Sequence, residues 1–109
     1  MTSASGIEAK ADEVLNRLAE TDRNDAAYRY NARLAEHKYD KTVDALFLTL
    51  EGTVEQRKAK ARSDDLAEMA YIEYLEAQRL FDQLHNERET LRLRFEYCRS
   101  VMANRRQGG

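Results

Sequence analysis

Proline and tryptophan are absent from the 109 residues, cysteine occurs once and glycine four times, with Gly52 the single glycine between residues 7 and 107. With no proline to remove a backbone donor and almost no glycine to loosen the chain, nothing inside the long segments is built to break a helix. The lone Cys98 excludes a disulfide within one chain, which suits a reducing compartment. No apolar run approaches 18 residues, and the N-terminus lacks a basic segment followed by an apolar one. Neither secretion nor membrane contact is therefore expected, and the expected location is the cytoplasm. His37 and His85 are single and fall on separate expected helices, no glycine loop could cradle phosphate, and no Cys/His cluster has metal-ligand spacing. The expectation is a protein that is not an enzyme and has no cofactor, no metal and no catalytic residue.

Periodicity is what the chain has instead. In steps of three and four from Ala67 come Ala70, Tyr74, Ala77, Phe81, Leu84, Arg88, Leu91, Phe95, Cys98 and Met102, and only Arg88 is not apolar. That is a heptad seam over 65–106. As one helix it would be roughly 60 Å long, against a radius of gyration of about 13 Å for a compact chain of this size. The seam therefore needs a partner: a helix of the same chain, a second copy, or both. Charged residues make up 35% of the chain with a net charge of only -2, a composition of long helices and coiled coil rather than disorder. The expected class is all-α: an antiparallel helical hairpin with a short N-terminal helix, a single domain assembled into a helical-bundle oligomer.

In chain order, 1–6 are small and polar and expected to fray. A short amphipathic helix over 7–20 carries Ile7, Ala11, Val14, Leu15 and Leu18 on one face. Thr21 to Asp25 are capping-type residues that predict a break or bend. A second helix over 25–50 has the stripe Tyr28, Ala32, Ala35, Tyr39, Val43, Leu46 and Leu50, and its end, Ala45 to Leu50, is apolar nearly all round. Gly52 followed by Thr53-Val54-Glu55-Gln56 matches a turn and a capping box, so 51–64 read as an elbow. Ser63, Asp64 and Asp65 supply caps and first-turn acids for the long helix.

Charge is sorted along that helix. Asp64 to Glu87 holds seven acids and one Arg, whereas Arg88 to Arg106 holds six Arg and two Glu. The elbow adds Arg57, Lys58, Lys60 and Arg62 against Glu55. Basic patches on a mildly acidic protein are candidate phosphate contacts, although cations in a helix's last turn, such as Arg105 and Arg106, also complement the helix dipole. Arg88 reads as a side chain whose stem packs while its guanidinium reaches Glu87, Glu89 or an acid on a partner, or as a register-setting polar residue or a contact for an anionic ligand. Tyr28, Tyr30, Tyr71 and Tyr97 are either core aromatics or stacking surfaces for bases. Tyr74, Phe81, Leu84, Arg88, Leu91, Phe95 and Met102 are the candidate oligomerisation residues.

The elbow Glu51 to Ala61, the stretch Tyr74 to Ala77 and the closing Asn104 to Arg106 are similar to small all-helical proteins encoded by tailed phages. In its order of short helix, long helix, basic connector and long terminal helix, the chain more distantly resembles phage recombination mediator proteins. Those bind single-stranded DNA and help load a recombinase as ring-like oligomers. The resemblance implies a homo-oligomeric accessory protein of DNA recombination or replication, with single-stranded DNA and a recombinase or single-strand-binding protein as partners. Arg57, Lys58, Lys60, Arg62, Arg99, Arg105 and Arg106 would be its DNA contacts. The alternatives are a helical adaptor or inhibitor of a host protein, working through the acidic first half of the long helix, and a structural coiled-coil component.

Overall fold

The computed structural model describes Ser3–Gly108, and every element among the described residues is helical: α1 over Ser3–Thr49, α2 over Val54–Ser63 and α3 over Asp65–Gly108. Two compact units form. One joins the residues up to Ala26 with those from Asp82 onward, and the other is Ala27–Phe81. In each, a segment of α1 packs antiparallel on a segment of α3, so the chain is a helical hairpin.

Burial follows the heptad. Ala67, Ala70, Leu84, Leu91 and Cys98 are buried on α3, and Tyr74, Ala77, Phe81, Arg88, Phe95 and Met102 are half-buried. In the first unit Leu84, Leu91 and Cys98 bury with Ala11 and Val14 of α1, each large aliphatic contributing roughly 2 kcal/mol. In the second the contact is thinner: Ala32, Ala67 and Ala70 are buried, and small side chains let helix backbones approach closely. The seam that asked for a partner thus has one within its own chain. Tyr74, Phe81, Leu84, Arg88, Leu91, Phe95 and Met102, expected as oligomerisation residues, lie buried or half-buried along this hairpin seam.

The break expected at Thr21 to Asp25 does not occur, because α1 is continuous from Ser3 to Thr49. Its heptad runs Ile7, Ala11, Val14, Leu18, Thr21, Asp25, Tyr28 and Ala32, with all eight buried or half-buried, so two capping-type residues occupy seam positions. The Thr21 hydroxyl donates to the Leu18 carbonyl at 2.8 Å. Thr21 thereby satisfies itself along the helix instead of competing with it. Leu15, expected on the buried face, is 44% exposed. The expectation of fraying at Met1 and Thr2 lies outside the described residues, and the helix has already begun at Ser3.

The elbow contains its own helix. Gly52 has φ 121°, a left-handed value that favours glycine. Thr53 then caps α2: the Gln56 amide donates to Thr53 Oγ1 at 3.2 Å and the Thr53 amide to Gln56 Oε1 at 3.1 Å, which satisfies two amides reciprocally. At the other end the Ser63 hydroxyl donates to the Ala59 carbonyl and Asp64 turns extended. Asp64 Oδ1 then accepts the Leu66 amide at 2.9 Å, which starts α3 with acids in its first turn.

Candidate nucleic-acid interface

Four of the expected DNA-contacting cations share α2, and the structure divides them by role. Ala61, fully buried, fixes which side of α2 faces the hairpin. Arg57, one turn earlier on that side, lays its guanidinium over the Phe47 ring at 4.2 Å, and its Nε is buried. That contact covers one side of the apolar run at the end of α1 and commits Arg57 to the fold. Lys60 Nζ donates to the Glu51 carbonyl at 3.5 Å, which ties α2 to the turn before it.

Lys58 and Arg62 are exposed and sit four residues apart, so they are neighbours on one helix face. Neither has a carboxylate partner among the described residues. They form a short two-charge edge on a helix whose ends are capped.

The remaining three candidates belong to the other unit. Arg99 pairs with Glu96 at 3.4 Å, one of several Glu–Arg pairs three residues apart on α3, alongside Glu76–Arg79 and Glu89–Arg92. Such exposed pairs contribute little to stability, but each neutralises a cation. Arg99 and Arg106 line one shallow groove, and Arg105 and Arg106 lie exposed in the last turn of α3, where they complement its dipole. Of the four tyrosines weighed as stacking surfaces, Tyr28 is half-buried and Tyr71 packs against Tyr39 and Tyr74 with centroids 5.2 and 6.2 Å apart. Tyr30 and Tyr97 face outward, at 64% and 67% exposure.

Sequence reasoning missed the acids that hold Arg88. Its guanidinium meets Asp22 and Asp25 of its own chain rather than Glu87, Glu89 or a partner's acid, with Nη1 3.0 Å from Asp25 Oδ1. Glu87 instead pairs with Arg17 at 3.1 Å. The available signal was Asp25 itself, which stands at a heptad position of α1 as Arg88 does on α3.

Among the described residues no cluster of His, Cys, Asp and Glu could hold a metal ion, and no helix is long and apolar enough to cross a membrane. No family model, curated protein or solved structure matches the chain.

Proposed function

We propose that the chain is a non-enzymatic accessory protein of phage DNA recombination or replication, binding single-stranded DNA as a homo-oligomer. The observation that supports this reading is α2. A ten-residue helix carries four cations against one acid, is capped at both ends, and leaves Lys58 and Arg62 side by side without carboxylate partners among the described residues. Two charges hold phosphate weakly. An oligomer that repeats the same edge converts them into avidity, because each further contact along one strand is intramolecular. Arg105 and Arg106 supply further cations in each copy, whereas Arg57, Lys60 and Arg99 already have contacts within the chain.

The mechanism is electrostatic and depends on counterion release, so affinity falls steeply with salt. Fluorescence anisotropy of a labelled single-stranded oligonucleotide, beside the same sequence as a duplex, tests it. The expected result is salt-sensitive binding that prefers the single strand. Replacing both Lys58 and Arg62 by Ala should lower the slope of log affinity against log salt by about 1.4 per bound copy, at about 0.7 for each phosphate left without its cation. Absence of binding at low salt, or an unchanged slope in the double variant, removes the reading.

A further inference from the structure

Beside its seam, each long helix carries a second stripe at spacings of three and four within the Ala27–Phe81 unit. On α3 it reads Leu66, Met69, Glu73, Glu76 and Leu80; on α1 it reads Asn31, Leu34, Lys38, Lys41 and Ala45. The two stripes flank the same side of the unit. Leu34, Lys38, Lys41 and Leu66 line one groove, and Lys38 Nζ reaches across to Glu73 Oε2 at 3.4 Å. The apolar members are open to solvent: Leu34 is 50% exposed, Leu66 62% and Met69 61%. Scattered surface leucines need no explanation, but exposed apolar residues that fall at heptad spacing on both helices of one flank do. Charge is also sorted, because the stripe on α1 carries only cations and the stripe on α3 only acids.

We infer that this flank is a twofold interface with a second copy of the chain, α1 of one copy lying antiparallel on α3 of its partner. The inference deepens the self-assembly in the proposed function and rests on that part of it. A twofold contact uses the same patch on both copies, so the patch must complement itself. With the axis along the helices, α1 of each copy faces α3 of the other at the same height, so Lys38 opposes the partner's Glu73 as it meets Glu73 within its own chain. With the axis across the helices, like stripes would meet and like charges would repel. The flank therefore selects one of its two symmetric pairings, and the leucines and methionine at either end of the charges close a four-helix core around it. A foreign partner would have to supply both an acidic and a basic strip in this register; a second copy already has them.

Sedimentation equilibrium of the full chain, without DNA, at low and moderate salt is the test. The wild type should be dimeric or a multiple of a dimer, with association weakening as salt rises. Leu34→Asp and Met69→Asp should each raise the dissociation constant about a hundredfold or more while leaving the helical circular dichroism intact. Reversing the basic stripe with Lys38→Glu and Lys41→Glu together should also weaken association. Adding Glu73→Lys and Glu76→Lys to that pair should restore it, since both the Lys38–Glu73 type of contact within the chain and the contacts between copies are then swapped in sign. A wild type that stays monomeric, association indifferent to Met69→Asp, or a fourfold swap that rescues nothing overturns the inference. Anisotropy with single-stranded DNA on Met69→Asp separates the two claims. Unaltered self-association with no DNA binding by the wild type refutes only the DNA reading, and DNA binding by a monomeric wild type refutes the interface together with the self-assembly it rests on, but not the DNA contact.

Discussion

Arg88 Nη1 lies 3.0 Å from Asp25 Oδ1, and each of the two is the charged member of its own helix's heptad stripe. Their side chains are 17% and 14% exposed. Asp22, more exposed, takes another nitrogen of the same guanidinium. A charge set into an apolar seam is costly unless its partner is set opposite to it, so this pair fixes the register of α1 on α3 in the first unit. Any slip by one residue would bury both charges apart from each other.

Replacing Arg88 alone should therefore be more damaging than replacing the pair. Arg88→Ala removes the guanidinium that Asp22 and Asp25 share and should cost about 3 kcal/mol in urea unfolding, while Arg88→Leu with Asp25→Leu should return to within about 1 kcal/mol of wild type or exceed it. If the single variant loses less than about 0.5 kcal/mol, the pair does not hold the register.

That pair also marks where the sequence was hard to read. The α3 seam from Ala67 to Met102 was legible because its members are apolar at ten of eleven positions, and burial follows them. The capping box at Thr53 and the turn at Gly52 were legible because they depend on residues four or fewer positions apart. The run Thr21 to Asp25 resembles a break because the same side chains that cap helices also serve, when a partner helix supplies Arg88, as seam residues. Local propensity cannot see that partner. The same limit applies to α2. Spacing alone could not separate Arg57, which lies over Phe47, from Lys58, which does not, because Phe47 is brought there by the turn and not by periodicity.

The turn before α2 should tolerate no side chain at Gly52. Its φ of 121° is unfavourable for L residues, and an added Cβ would lie 2.8 Å from Gln56 Oε1, the atom that accepts the Thr53 amide. Gly52→Ala should cost more than about 1 kcal/mol, and Thr53→Ala about 1 kcal/mol through loss of the cap. Because both changes disrupt one device, the double variant should lose less than the sum of the two. Additive losses in thermal or urea unfolding would show that the glycine and the capping box act separately.

Tyr74 supplies a pH dependence. Its phenol is held above the usual tyrosine value chiefly by the negative charge of Glu36, with desolvation and Tyr71 adding to it. The folded state therefore holds the phenolic proton more tightly than the unfolded chain. This contribution is fully present below about pH 10 and is lost as pH rises through the higher folded value. Difference absorbance of phenolate between wild type and Tyr74→Phe should place the Tyr74 midpoint above 10, and Glu36→Gln should lower it. A midpoint that does not move in Glu36→Gln would mean that Glu36 is not the cause.

The two adjacent cations Arg57 and Lys58 should separate folding from binding. Arg57 spends its guanidinium on the Phe47 ring and buries its Nε, so Arg57→Ala should lower stability by about 1 kcal/mol. Lys58 is exposed with no carboxylate partner among the described residues, and Lys58→Ala should leave stability within about 0.5 kcal/mol of wild type. In the DNA titration the order should reverse. Lys58→Ala should lower affinity at low salt more than Arg57→Ala does, provided that both are measured well below their melting temperatures. If Arg57→Ala instead weakens DNA binding more at unchanged helicity, its guanidinium leaves Phe47 to meet phosphate, and the stack is a resting position of a DNA-contacting residue rather than part of the fold.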